Sequence, residues 1–273
     1  MRRLVIQIPA RASLEQGIRL LIKYKINALL IINEQQESLG VVSKTDLMGA
    51  YYAGLPVDAP LETIMVGPPL FCRPEDSLDM ALETMRMHRV HRLYVSRQAS
   101  QPAIGVLAYP DIVGLLYRFC NKCHRSIRQA QDLADRFQVR EVMTPAVQTY
   151  GADASLAQVM EGLAAYRFGA VLIKNKGDFP VGVVSKTDLI VAYKHGVSPQ
   201  AETRTIMNSP VRGCEAAELL LEALQKMIFA DVHRLFVYKG HLQNLVGVLS
   251  LSDVARFRSG SCRACLISRV EID

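Results

Sequence analysis

Three acidic residues stand where a carboxylate could bind a sugar or cap a helix. Asp46 and Asp188 each end the segment Gly-Val-Val-Ser-Lys-Thr-Asp, and Asp253 ends Gly-Val-Leu-Ser-Leu-Ser-Asp. A hydroxyl three residues before an acid is typical of a helix N-cap, where both side chains accept hydrogen bonds from free backbone N–H groups. The carboxylate could also accept hydrogen bonds from a ribose diol, while the hydroxyls and the helix N-terminus face phosphate. The hydroxyls concerned are those of Ser43, Thr45, Ser185, Thr187, Ser250 and Ser252.

Asp111 occupies the corresponding position of a fourth copy. The residues before it are Ala-Tyr-Pro, so both flanking hydroxyls are missing. The acid alone can still cap a helix. We expect a ligand site at Asp111 to be weak or empty.

Two histidine–arginine pairs could bind an anion. His91-Arg92 and His233-Arg234 lie twenty residues before Asp111 and Asp253. An exposed basic edge would explain them, but a guanidinium that binds phosphate oxygens in a bidentate manner also suits these positions. Lys44 and Lys186 carry the same charge and are expected by default to be solvated surface residues.

Two C-x-x-C pairs form a possible metal-ligand set, which consists of Cys120, Cys123, Cys262 and Cys265. Four thiolates are the usual ligands of structural zinc or of an iron–sulfur cluster. The pairs are 139 residues apart (262 minus 123), so a shared site needs the two tails, or two chains, to meet. Free thiols or a redox pair are the alternative. Covalent haem at Cys-Asn-Lys-Cys-His is disfavoured, because the second copy ends in Leu266.

The chain is an internal duplication. An offset of 142 residues relates Asp46 to Asp188, His91 to His233 and Cys72 to Cys214, and an offset of 65 relates Asp46 to Asp111 and Asp188 to Asp253. Ser13, Ser77 and Ser155 precede apolar residues at helical spacing, and short apolar runs such as Ala28–Ile32 predict buried strands. Each quarter is therefore predicted as helix, strand, strand, helix. Cys72 and Cys214 fall in predicted strands, where free cysteine acts as a small hydrophobe.

The pattern predicts six segments: 1–60, 61–123, 124–140, 141–200, 201–260 and 261–273. Four are repeats, 124–140 is a polar helical connector, and 261–273 is a tail with the second cysteine pair. With 50% hydrophobic residues among 273 and no apolar run of membrane-spanning length, we expect a cytoplasmic protein without a membrane span. The net charge of +6 suits anionic ligands. Arginines of the connector alternate with acids, which favours an ordinary solvated helix over nucleic-acid binding.

These residues resemble the CBS (cystathionine-beta-synthase) domain family. The resemblance rests on Gly-Val-Val-Ser-Lys-Thr-Asp-Leu in quarters one and three, Gly-Val-Leu-Ser-Leu-Ser-Asp in quarter four, and Met143-Thr144-Pro145 and Ile206-Met207 at quarter starts. It implies an α/β (α+β) fold of four β-α-β-β-α repeats in two Bateman modules, with a disc-like assembly. Four repeats with two histidine–arginine pairs are similar to the nucleotide-sensing gamma subunits of AMP-activated protein kinases.

The resemblance also implies roles for the candidate residues. Asp46, Asp188 and Asp253 would bind ribose, His91, Arg92, His233 and Arg234 would bind phosphate, and adenine would be flanked by Met65, Val66, Met143, Thr144 and Met207. The ligand would be AMP, ADP, ATP or S-adenosylmethionine. We expect a regulatory protein without an active site, which signals to an unidentified effector protein and could form a homodimer. The alternative is a metal- or redox-responsive interaction protein whose sensor is the cysteine pairs, with the repeats as scaffold.

Overall fold

The fold was analysed in a computed structural model, which describes residues 3–98, 102–114 and 137–257. The first repeat contains a parallel pair of strands followed by an antiparallel pair. It comprises β1 (Gln7–Pro9), α1 (Leu14–Lys23), β2 (Ala28–Ile32), β3 (Ser38–Ser43) and α2 (Lys44–Tyr52). The strand before α1 was implied by the resemblance and not by the hydrophobic pattern. It is only three residues long, too short for a clear alternation.

The other three repeats keep this order, and each has its own three-stranded sheet. Repeat 2 comprises β4 (Phe71–Cys72), α3 (Leu78–Met87), β5 (Arg92–Val95), β6 (Gly105–Ala108) and α4, described over 109–114. Repeat 3 comprises β7 (Thr149–Gly151), α5 (Leu156–Ala165), β8 (Ala170–Lys174), β9 (Pro180–Ser185) and α6 (Lys186–Lys194). Repeat 4 comprises β10 (Gly213–Glu215), α7 (Leu220–Phe229), β11 (Arg234–Lys239), β12 (His241–Ser250) and α8 (Leu251–Phe257).

The predicted helix starts are confirmed at three serines. The side chains of Ser13, Ser77 and Ser155 accept hydrogen bonds from the backbone N–H groups of Gln16, Met80 and Gln158. Each serine therefore satisfies a donor that has no partner within its helix.

The predicted apolar stripes are buried along most of their length. Leu14, Ile18 and Leu21 are fully buried, whereas Ile22 is 36% exposed and Ile228 is 42% exposed. Both exceptions lie in the last turn of a helix, α1 and α7. Cys72 and Cys214 lie in β4 and β10 as predicted, and Cys214 is buried.

The hydrophobic cores join repeats of different halves. One cluster unites helices and strands of repeats 1 and 3, including Leu47 and Leu189, and a second unites repeats 2 and 4, including Met85 and Met227. Within the first half, alternate residues of β2 point the other way, so that Leu30 and Ile32 pack with Tyr94 of repeat 2. Repeat 1 thus shares apolar contacts with both repeat 2 and repeat 3, and repeat 2 also shares them with repeat 4.

The contact between repeats 1 and 3 follows an approximate twofold symmetry. The rings of Tyr51 and Tyr193 stack with centroids 5.0 Å apart. Tyr51 donates its hydroxyl to the carbonyl of Val197, and Tyr193 donates its hydroxyl to the carbonyl of Leu55. Because the sequence is duplicated, each contact on one side has a counterpart 142 residues away on the other.

Part of the sequence interpretation lies outside the described residues. This part includes most of the predicted connector 124–140, of which the described end contains a 3₁₀ turn at Val139–Glu141. It also includes both C-x-x-C pairs and the tail 261–273. The domain boundaries, the disc-like outline and the homodimer stay predictions.

Candidate functional site

The acids of repeats 1 and 3 begin helices by the same arrangement. The Oδ2 atom of Asp46 accepts hydrogen bonds from the backbone N–H and the hydroxyl of Ser43, both at 2.7 Å. Asp188 accepts from the N–H and hydroxyl of Ser185 at 2.7 and 2.6 Å. The capping interpretation is therefore confirmed, and it uses the same oxygen in both repeats. The Oδ1 atom is the one that a ligand could use.

The acids of repeats 2 and 4 occupy corresponding positions. Asp253 accepts from the N–H and hydroxyl of Ser250 at 2.8 and 2.6 Å, and the hydroxyls of Ser250 and Ser252 lie 2.7 Å apart. Asp111 accepts from the N–H of Ala108 at 2.9 Å. Asp111 thus caps α4 without the serine, and the hydroxyls that could face phosphate are missing from this cleft.

The lysines of the two helix starts cross between the repeats. Lys44 donates to the hydroxyl of Thr187 and Lys186 donates to the hydroxyl of Thr45, each at 2.9 Å. The pKa of each lysine is lowered to about 8, chiefly by burial and in addition by a nearby arginine, Arg92 for Lys44 and Arg234 for Lys186. The default expectation of solvated surface lysines was wrong, because the packing of repeat 1 on repeat 3 encloses both ammonium groups.

The arginines of the even repeats extend into the odd repeats. Arg92 donates to the carbonyl of Ala28 at 2.9 Å. The carbonyl of the preceding residue, Asn27, accepts the backbone N–H of Lys44. Arg234 lies against Gly169, where a Cβ atom would collide with its guanidinium. Burial lowers the pKa of Arg234 to about 10, with Asp253 acting in the opposite direction. In each module, a guanidinium therefore lies close to the helix start of the neighbouring repeat.

His91 lies in the same positive environment. Burial lowers its pKa to about 4, and the charges of Arg256, Lys186, Arg92 and Arg234 act in the same direction. Its ring meets Tyr109 edge to face, with centroids 5.5 Å apart. The side chain keeps an exposed face, although four cations of three repeats act on it. His91 therefore lies where charged side chains of three repeats come together.

The junction gathers cationic side chains from all four repeats, and we call it the cationic junction. It consists of Lys44, Arg92, Lys186, Arg234 and Arg256, with the imidazole of His91 lying among these charges. Two carboxylates act against this lowering: Asp46 raises the pKa of Lys186, and Asp188 raises the pKa of Lys44. Positive charges that share a partly buried space repel one another and lower each other's proton affinity. The arrangement favours binding of an anion with several oxygens.

Methionines of the segments between repeats pack on strand glycines. A Cβ atom on Gly40 would lie 3.2 Å from the Sδ of Met65, and one on Gly182 or Gly247 would lie 2.8 Å from the Sδ of Met207 or Met143. Only glycine permits this approach. The next residues, Val66, Asn208 and Thr144, form β-bridges with Val41, Val183 and Val248. The predicted adenine-flanking residues thus lie beside the strands that lead to the three acids.

Sequence reasoning missed several residues of this region. Asn208 donates its amide to the Oδ1 of Asp188 at 2.7 Å, and Arg256 lies over the ring of Tyr109. Thr144 was named as an adenine-flanking residue, but its contact with the acid was not foreseen: it donates its hydroxyl to the Oδ1 of Asp253 at 3.3 Å. The offset of 142 residues from Val66 to Asn208 was a signal that the sequence offered. Nothing local marked Arg256 as a member of the cationic junction.

The metal hypothesis rests on residues that the structure does not describe. In the described ranges, no group of three or more metal-ligating side chains is found. The described cysteines, Cys72 and Cys214, are free thiols, and burial raises the pKa of Cys214 to about 12. The zinc or iron–sulfur site at the two C-x-x-C pairs stays a prediction. No helix within the described residues is long and apolar enough to cross a membrane.

Comparison with known proteins identifies the repeats. The CBS domain model matches four segments, residues 1–53, 61–118, 139–195 and 204–260. The gamma-3 subunits of 5′-AMP-activated protein kinase from Sus scrofa and Homo sapiens are each 28% identical to this chain over 193 residues, or 66% of it. The chain spans only 36% and 38% of the length of these two relatives.

Solved structures show the same arrangement of four repeats. A Methanocaldococcus jannaschii protein, proposed as an archaeal homologue of g-AMPK, superimposes with a TM-score of 0.77 at 14% identity, covering 94% of this chain and 97% of its own. A conserved protein from Pyrococcus horikoshii gives a TM-score of 0.61 at 16% identity, covering 94% of this chain and 96% of its own. Fold and sequence agree: the chain belongs to the CBS domain family.

Proposed function

We propose that this chain is a regulatory protein that binds adenine nucleotides, namely AMP, ADP or ATP, in clefts between its CBS repeats. The observation that carries the proposal is the cationic junction, where side chains of four repeats lie next to three capped carboxylates. A nucleotide has both of the complementary groups, a ribose diol for the carboxylate and phosphate for the cations. The name of the kinase relatives, AMP-activated, supports the same ligand class.

In this proposal, each group of the nucleotide has its own partner. The ribose hydroxyls donate to Oδ1 of Asp46, Asp188 or Asp253, because Oδ2 is used by the cap. Phosphate faces the helix N-terminus and the charged side chains of Arg92, Arg234 and the two lysines. The imidazoles of His91 and His233 are further hydrogen-bonding groups beside it. Adenine lies near the methionines between the repeats. S-adenosylmethionine has the same adenosine group but a sulfonium in place of phosphate, so the junction should disfavour it.

The regulatory step follows from where the ligand binds. Each lysine of the junction belongs to one half of the chain and hydrogen-bonds a threonine of the other half. A phosphate that attracts Lys44 or Lys186 competes with that threonine, and so changes the contact between halves. A ligand shifts an equilibrium only if it binds the two arrangements with different affinity. The effector protein that responds to this change is not identified by the chain, and no catalytic step is proposed.

Isothermal titration calorimetry with AMP, ADP, ATP and S-adenosylmethionine tests the proposal. The triple variant D46N/D188N/D253N keeps oxygen acceptors for the helix caps but removes the charge that binds the diol. We expect affinity in the micromolar range for the wild-type chain and about 100-fold weaker binding in the triple variant.

The matched control is Asp79→Asn, which removes an exposed acid from the first turn of α3, outside the clefts. It should leave nucleotide affinity unchanged. Absence of binding by the wild-type chain, or equal binding by the triple variant, contradicts the proposed function.

A further inference from the structure

One residue position differs between the three clefts while its backbone stays the same. Val66, Asn208 and Thr144 each form a single antiparallel bridge with the strand that leads to an acid, at Val41, Val183 and Val248. In all three, N–H and carbonyl are exchanged with the strand at 2.8 to 3.0 Å. At two of the three positions the side chain reaches the acid of its cleft, Asn208 at Asp188 and Thr144 at Asp253. The chemistry of the side chain therefore determines whether the acid already has a protein donor.

In the cleft of repeat 3, the chain itself occupies both carboxylate oxygens. Oδ2 of Asp188 accepts two hydrogen bonds from Ser185, and Oδ1 accepts one from the amide of Asn208 at 2.7 Å. A neutral donor to a carboxylate makes a charge-assisted hydrogen bond, which is stronger than one between neutral groups. A ribose diol must displace Asn208 and leave its amide without this partner.

In the cleft of repeat 1, the corresponding oxygen is open. Val66 is 62% exposed and its side chain cannot donate a hydrogen bond. Among the described residues, none donates a hydrogen bond to Oδ1 of Asp46, while Oδ2 is held by Ser43. The cap therefore orients the carboxylate of Asp46, and none of the described side chains has to leave Oδ1 before a ligand binds there.

The cleft at Asp253 is intermediate between the other two in how strongly the chain occupies the Oδ1 atom of its acid. The hydroxyl of Thr144 lies 3.3 Å from Oδ1, which is long for an O–H···O hydrogen bond. A hydroxyl can also rotate and accept a hydrogen bond from the incoming sugar, whereas the amide nitrogen of Asn208 cannot accept.

We propose that this position sets the order in which the three clefts fill, with Asp46 first, Asp253 second and Asp188 last, because Asn208 substitutes for a sugar hydroxyl. The inference rests on the proposed function and adds to it a specificity-determining residue for each cleft. A chain with unequal clefts responds to ligand over a wider concentration range than one with equal clefts. Asn208 would keep the third cleft closed to ligand until the concentration is high.

A reciprocal exchange of side chains tests the order. The variants are Val66→Asn and Asn208→Val, which place the side chain of one cleft in the other on an equivalent backbone. Val66 is exposed, and Asn208 lies in an extended bridge that accepts a β-branched residue, so neither change should prevent folding. AMP is titrated by calorimetry into wild type, both variants, D46A and D188A, with thermal unfolding as the folding check.

We expect D46A to remove the tightest binding step and D188A to leave it intact. V66N should weaken that step about tenfold, and N208V should strengthen the weakest step by a similar factor. If D188A removes the tightest step, or if V66N binds like wild type, the order is overturned and the proposed function stands. If wild type binds no AMP, the proposed function is wrong, and the proposed order of filling is then wrong as well.

Discussion

At the scale of single residues, burial and neighbouring arginines make the charged form of the two lysines of the cationic junction less favourable. Lys44 and Lys186 lose water on burial, and an arginine lies close to each, so that the pKa of both falls to about 8. Below pH 8, both ammonium groups are charged in a region where protein acids compensate them only in part. A bound phosphate supplies the missing negative charge and raises both pKa values.

The first residue-scale prediction concerns pH. Because the pKa is about 8 in the free protein and higher in the complex, binding takes up protons near and above pH 8, and AMP affinity falls as pH rises. We expect a loss of about tenfold between pH 7.5 and 9.5, where the phosphate itself no longer titrates. Calorimetry in buffers of different ionisation enthalpy measures both the affinity and the proton uptake.

Adenosine is the control for this experiment, because it lacks the phosphate that the lysines bind. Its affinity should stay constant over the same pH range. An AMP affinity that is constant or rises between pH 7.5 and 9.5 would contradict the assignment of these lysines.

At the scale of elements, Gly169 lets an arginine approach the start of α6. Gly169 lies just before β8, and its carbonyl accepts the backbone N–H of Lys186, the first residue of that helix. The guanidinium of Arg234 occupies the space that a side chain would take. Repeat 1 has Asn27 at the equivalent position, and there Arg92 binds the carbonyl of Ala28 instead.

The element-scale prediction is that Gly169→Ala weakens AMP binding. The new methyl group must displace the flexible end of Arg234 from the cationic junction, so the chain folds but the phosphate loses a partner. We expect an affinity loss of about three- to tenfold for AMP, as for a lost charged hydrogen bond, and none for adenosine.

Gly49→Ala provides the matched control. A Cβ atom on Gly49, within α2, meets no neighbouring atom within 4 Å. This change should leave AMP affinity unaltered and stabilise the helix by about 0.5–1 kcal/mol. Equal AMP affinity in Gly169→Ala and wild type would show that Arg234 does not contact the phosphate.

The elements themselves were predictable because their causes are local. Ser13, Ser77 and Ser155 each precede an apolar stripe, and the structure confirms all three caps. The crossing of Lys44 to Thr187 was not predictable, because it joins residues 143 apart and depends on how repeat 1 packs on repeat 3. Asn208 was missed for a related reason, since its role depends on a bridge to Val183 and not on its sequence neighbours.

At the scale of the whole molecule, the duplication produces the site. Helices of repeats 1 and 3 share one core and those of repeats 2 and 4 share another, so the two halves are not independent. The exposed ion pair between Lys25 of repeat 1 and Asp231 of repeat 4 adds a further contact between halves. This arrangement places cations from all four repeats in a single junction, where in the proposed function a ligand phosphate would contact both halves at once.

The central claim is that the cationic junction binds the phosphate of an adenine nucleotide across the two halves of the chain. The most direct measurement compares the affinities of AMP and adenosine, by calorimetry at pH 7.5, in wild type and in the variant K44M/K186M. Methionine fills a similar volume without charge, and because both ammonium groups are desolvated, the unliganded variant should unfold at an equal or higher temperature. We expect wild type to bind AMP at least about 30-fold more tightly than adenosine and the variant to lose most of this difference, because two charged contacts are removed. A folded variant that keeps the full preference for AMP, or a wild-type chain that binds adenosine as tightly as AMP, would contradict the central claim.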